Sequence, residues 1–185
     1  IDRPVQDGHF DEVTFDNRAA MQEAAEALIA RGHRRILFIV RQRLLSITRI
    51  RIEALRRAAA AAAVPVEVKV VECSYEEASF ASRIASELAP AARPKPVIVS
   101  NSMLAAWTLR ALRGLGIRCP EEISLLAFDE TDWADLVQPS LSVIRQPSRA
   151  IALTAWEFLI NRISGDAQER QVAELKAEVV LRASV

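Results

Sequence analysis

Cysteine, glycine and histidine are all scarce in this 185-residue chain, and each scarcity excludes something. The two cysteines, Cys73 and Cys119, are far apart, so neither a disulfide framework nor a zinc site can be built from them. The expectation is a reducing, cytoplasmic setting. The five glycines never gather into a phosphate-cradling loop. His9 and His33 have no second His or Cys at ligand spacing, and neither sits in a nucleophile motif. No metal, cofactor or catalytic residue is therefore expected, and the chain reads as a binder rather than an enzyme. Lys plus Arg and Asp plus Glu number 24 each, so there is no basic excess for gripping nucleic acid directly. No apolar run is long enough to cross a membrane, no signal peptide opens the chain, and Ile1 to Pro4 does not look like a natural start. The acidic stretch from Asp129 to Asp135 lacks the glycine and spacing of a calcium loop.

What is present is alternation. Short β-branched runs occupy 12–15, 35–40, 67–71, 96–100, 123–128 and 141–145. Helical periodicity fills 17–31, 48–63, 75–88, 102–115 and 148–163, as in Met21, Ala24, Ala25, Leu28 and Ile29. Gly32 stands where a helix stop belongs, and Gly114 and Gly116 close the fourth helix. The polar stretch 165–174 reads as a loop before a last strand at 177–181. Apolar strands separated by helices predict βαβ units, hence an α/β fold with a doubly wound parallel sheet and helices on both faces. Ligands in such sheets bind outside the carboxyl ends of the strands.

Those ends carry Asp16, Asn101 and Asp129. Each could hydrogen-bond a ligand hydroxyl. Each could equally cap the helix that follows, as could Asn17 and Ser102. Arg51, near Arg43 and Arg49, offers either a bidentate clamp or a solvated helix face. Tyr75 opens the third helix and would stack on a ring or serve as a core aromatic. Trp107, Trp133 and Trp156 read as packing or interface residues.

Longer matches go further. Phe15-Asp16-Asn17 with Ala27-Leu28-Ile29-Ala30-Arg31-Gly32-His33-Arg34-Arg35-Ile36 resembles a LacI/GalR signature. So do Leu115-Gly116-Ile117-Arg118-Cys119-Pro120-Glu121-Glu122-Ile123-Ser124 running on to Asp129-Glu130, Gln138-Pro139-Ser140-Leu141 through Gln146-Pro147, and Val180-Leu181-Arg182-Ala183-Ser184. The matches occur in order across nearly the whole chain. The resemblance implies a periplasmic-binding-protein-like lobe that senses a small polar effector, a sugar or related molecule. Operator DNA would be bound only through a helix-turn-helix head outside this chain, as a cytoplasmic dimer. It implies that residues 1–4 end an amino-terminal lobe and 5–146 form the carboxyl-terminal effector lobe. Residues 147–174 would pack on the other lobe, and 175–185 would return as the terminal strand. It places effector contacts on Tyr75, Arg51, Asn101 and Asp129, with Asp16 and Gln146 lining the cleft or its hinge.

This chain departs from the family's pattern. Val40-Arg41 replaces a usual glycine, Ile47 a frequent Ser or Thr, Ser102 a frequent Asp, and Ala54 a usual glycine. The first loop is therefore bulkier and less polar, which points away from an unmodified hexose or from tight ligand binding. Two rivals share the architecture: a transporter's solute-binding protein and an enzyme on a doubly wound sheet. Helix 148–163 is apolar nearly all round, which predicts a homodimer or swapped assembly.

Overall fold

The computed structural model describes residues 1, 9–42, 44–74, 76–89, 95–165 and 169–185. The strands are β1 (Glu12–Phe15), β2 (Arg35–Val40), β3 (Glu67–Glu72), β4 (Pro96–Val99), β5 (Ser124–Phe128), β6 (Ser142–Arg145), β7 (Val172–Leu175) and β8 (Glu178–Val180). The helices are α1 (Asn17–Ala30), α2 (Ser46–Ala61), α3 (Glu77–Glu87), α4 (Ser102–Gly114) and α5 (Ser148–Ile163).

Six strands form one sheet in the order β3-β2-β4-β5-β6-β8. The first five are mutually parallel, and β8 pairs antiparallel with β6. The inner strands are continuous apolar runs, Ile36–Val40 and Val97–Val99 among them, because helices cover both faces. Strand alternation divides their side chains between two cores. Ile36, Phe38, Val40, Ile98, Leu126, Phe128 and Ile144 face α1 and α2. Leu37, Ile39, Val97, Val99, Leu125, Ala127 and Val143 face α3 and α4. At the sheet edge, β3 alternates as Glu67-Val68-Lys69-Val70, with its charged residues outward.

The carboxyl-terminal segment is stitched into the sheet rather than laid on it. Ser184 lies fully buried between β5 and β6. Its Oγ donates to the Leu125 carbonyl at 2.6 Å and accepts from the Ser142 amide at 2.7 Å. The Arg182 guanidinium donates to both carboxylate oxygens of Glu130, at 2.9 Å each, and to the Leu141 carbonyl. Arg145 donates to Glu130 and to Glu178. Burial acts to raise the Glu130 carboxyl, but the two arginines outweigh it and hold the group below the usual carboxylate range.

Two expectations need correction. The first strand does not begin the βαβ series: β1 pairs in parallel with β7 as a separate two-stranded sheet. Its partner comes from the stretch read as a loop, where Val172-Ala173-Glu174-Leu175 is a strand too short and too polar-flanked to stand out. Helix α5 packs on this small sheet. Arg162 of α5 ties the unit together with a forked contact to Asp11, whose carboxylate also accepts from the Gln171 amide. The Arg162 hydrogen bonds pull the Asp11 pKa down to about 2. The last strand is shorter than expected, Glu178–Val180 in place of 177–181.

Gly32 ends α1 with φ +88, a left-handed conformation, and nothing would touch a Cβ built there. Gly114 is helical, and a Cβ there also meets nothing. The pair separates backbone cost from crowding. Gly32→Ala should lower unfolding free energy by about 1 kcal/mol, and Gly114→Ala should raise it by about 0.5–1 kcal/mol. Urea unfolding followed by circular dichroism checks both signs.

Candidate functional site

The chain leaves β2 toward β3 on one side and returns to β4 on the other, so the order reverses between β2 and β4. Loops diverge at such a point and leave a crevice beyond the strand ends. A hollow of about 260 Å³ lies there. The ends of β2, β4, β5 and β6 supply Arg41, Ser100 with Asn101, Asp129, and Gln146; Gln42, Leu45, Ile47, Thr48 and Arg51 come from the β2–α2 loop and α2.

Arg51 is the best-fixed of these side chains. It is 5% exposed although charged. Its Nε donates to Asn17 Oδ1 at 2.8 Å, and one terminal nitrogen donates to the Ser100 carbonyl at 3.2 Å. Its guanidinium carbon lies 3.6 Å from the Phe128 ring centroid and 5.9 Å from that of Phe15. A delocalised, weakly hydrated cation tolerates such burial where an ammonium would not. Asn17 in turn donates from Nδ2 to the Phe15 carbonyl at 3.0 Å, which orients its oxygen toward Arg51.

Asp129 accepts from Gln146 Nε2, so the ends of β5 and β6 are joined across the floor of the hollow. Asn101 performs both roles open to it in the sequence. Its Oδ1 accepts from the Leu104 amide at 2.9 Å as the cap of α4, and the residue lines the hollow.

Arg51, Asn101, Asp129 and Gln146 are thus brought together. Asp16 is not. Its carboxylate caps α1, accepting from the Ala19 amide at 2.8 Å, and it lines a separate recess with Glu23, Glu174 and Lys176. The physical reason is topological: Asp16 follows β1, which does not belong to the large sheet. Tyr75 lies outside the described residues. Sequence reasoning did not single out Arg41, Gln42, Leu45, Thr48 or Ser100 as lining residues. It offers Asn17 only as a cap, although a buried arginine needs an acceptor. Arg41 stands out there only as a departure, although it directly follows β2; one of its terminal nitrogens lies 3.5 Å from the Met103 sulfur.

A larger recess of about 640 Å³ lies along α4, lined by Leu109, Ile117, Trp133 and Val137 among others. No residue directly following the carboxyl end of a strand opens into it, so the smaller hollow is the better candidate for a polar ligand. Among the described residues, no group of three His, Cys, Asp or Glu is placed to hold a metal ion, and no helix is long and apolar enough to cross a membrane. Burial pushes both the Cys73 and the Cys119 thiols up to about 11, well away from an activated nucleophile.

Comparison with known proteins converges on one group. Residues 25–185 match the family described as periplasmic binding protein-like domain. A Rhizobium rhizogenes protein named as a repressor of an opine utilization operon is 31% identical over 159 residues, covering 82% of this chain and 80% of its own. The HTH-type transcriptional regulator KdgR of Bacillus subtilis is 28% identical across 100% of this chain and 56% of its own. The HTH-type transcriptional repressor PurR of Vibrio cholerae is also 28% identical, with 100% of this chain and 55% of the relative covered. The chain thus spans little more than half the length of these last two. Among solved structures, a LacI family transcriptional regulator from Enterococcus faecium with bound ribose superposes with TM-score 0.87 at 24% identity, over 98% of this chain and 67% of that one.

The Arg51–Asn17 contact has a measurable consequence. Asn17→Ala leaves a buried guanidinium short of one acceptor and should cost about 2 kcal/mol of unfolding free energy. Asn17→Asp, which keeps an acceptor oxygen and adds a charge partner, should cost less. Denaturant midpoints of the two variants at neutral pH test the ordering.

Proposed function

Because this chain belongs to the periplasmic binding protein-like domain family, as the effector-domain portion of a LacI-type transcriptional regulator, we propose that its hollow binds a small polar effector that controls operator binding by a helix-turn-helix head. One observation carries the reading: Arg51, Asn101, Asp129 and Gln146 converge on a single 260 Å³ hollow at the reversal point of the sheet. Their chemistry suits hydroxyl groups. The Asp129 carboxylate and the Asn101 and Gln146 amides offer acceptors and donors in the same lining as a fixed guanidinium. Sugars fit such a donor and acceptor set, and ribose and cellobiose occupy solved relatives of this fold. Tyr75 is assigned the stacking role by family resemblance.

The mechanism is a linkage between sites. An effector shifts the relative arrangement of elements around the hollow only by its differential affinity for the two arrangements. Transmission to DNA requires a dimer, so that two heads are spaced on one operator. We infer a cytoplasmic homodimer that contacts DNA through its heads alone. The described residues lining the hollow include no Cys or His, and binding without turnover is the reading for this chain. Solute-binding proteins share the fold, but the matched relatives are regulators.

A thermal-shift screen of sugars, sugar derivatives and nucleosides tests the assignment. At least one compound should raise the unfolding temperature; a ligand at a hundred times its Kd adds about 2.7 kcal/mol. Asp129→Asn and Gln146→Ala should weaken that compound by about tenfold or more. A screen in which nothing binds, or in which a compound is consumed, would sink the reading.

Assembly is testable separately. Helix α5 leaves Leu153, Trp156, Leu159 and Ile163 exposed, the last at 72%. Such a stripe favours association. Multi-angle light scattering at micromolar concentration should return twice the 20.5 kDa chain mass; a monomer would refute the dimer.

A further inference from the structure

The charge lining the hollow is not what a neutral sugar requires. Two arginines, Arg41 and Arg51, face one carboxylate, Asp129. Asp129 is already engaged by Gln146. The amino ends of two helices point into the same space. Helix α2 begins there at Ser46 behind Leu45, a residue with no side chain able to cap it, and neither α2 nor α4 has an acidic residue in its first turn. Both helix dipoles therefore add positive potential where Arg41 already stands.

The apolar part of the wall sharpens the picture. Leu45 and Ile47 line the same hollow as Arg41. They offer a hydroxyl nothing, and they lower the local dielectric, which strengthens a charge–charge contact and penalises a bare hydroxyl. Polar groups for hydroxyls are present in the same lining, at Asn101, Asp129 and Gln146. The described lining thus combines cationic, apolar and hydroxyl-binding groups.

We propose that the effector is a hydroxylated carboxylate, of the sugar-acid type, and that Arg41 is the residue that selects it. This rests on the effector-sensor reading and refines it. The Arg41 guanidinium holds the carboxylate by paired N–H···O contacts, while Arg51 and the amides hold the hydroxyls. A monoanion is favoured over a phosphate dianion. Among the described residues the lining carries one excess positive charge, and Asp129 in the same small space repels a second negative charge.

Isothermal titration of the 185-residue chain with matched compounds tests this. D-Glucuronate, D-galacturonate and D-gluconate are compared with D-glucose and D-galactose, and D-glucose 6-phosphate serves as the phosphate arm. At least one acid should bind about tenfold or more tightly than any neutral sugar of the set. That advantage should collapse in Arg41→Gln and be retained only in part in Arg41→Lys, which keeps the charge but not the paired contact. Added sodium chloride should weaken the acid and leave any neutral sugar unchanged, a readout on the parent chain that does not depend on the variants folding. Equal or tighter binding of neutral sugars, an acid preference that Arg41→Gln leaves intact, or tighter binding of the 6-phosphate would each overturn the proposal. If the broad screen above yields only uncharged ligands, Arg41 selectivity fails while the sensor reading stands. If no compound of either set binds, both fall.

Discussion

A buried guanidinium organises this molecule. Arg51 reaches from α2 to three separate parts of the chain: the start of α1 through Asn17, the end of β4 through the Ser100 carbonyl, and the end of β5 through the Phe128 ring. None of these contacts is local. A charge withdrawn from water must be met by acceptors on every side, or the fold loses several kcal/mol. The geometry of the strand ends is therefore held by a requirement rather than by a single attraction. The hollow inherits its shape from that requirement, because Ser100, Phe128 and Asn17 are drawn toward the same cation that forms its wall.

The sheet itself was legible from the sequence because its burial is extreme. A run such as Ile36-Leu37-Phe38-Ile39-Val40 admits few roles other than a strand covered on both faces, and the helices between such runs dictate parallel crossovers. Gly32 marked its helix end correctly, since its left-handed backbone is one that other residues adopt at a cost. The family resemblance then favoured effector contact over capping for Asn101 and Asp129, and it added Gln146, which the strand ends alone did not single out.

Residues with identical local context met different fates. Phe15-Asp16 and Phe128-Asp129 are both an aspartate after an apolar strand. One caps a helix beside a small outlying sheet, and the other faces the hollow. Only the pairing of β1 with β7 separates them, and that pairing joins positions about 160 residues apart. Likewise the Asn17–Arg51 contact spans 34 positions and leaves no trace in either segment alone. Arg41 was visible as an oddity in the first loop, but its meaning required knowing which other charges share its space. Short-range pattern reports burial and caps; it does not report which strand ends become neighbours.

The ion cluster behind the hollow gives the carboxyl-terminal segment an influence out of proportion to its size. Glu130 adjoins Asp129 in sequence, and Arg145 adjoins Gln146. Both are tied by charge-assisted hydrogen bonds to Arg182 or Glu178 of the final segment. The two floor residues are thus each one peptide bond from a rigid ionic strut.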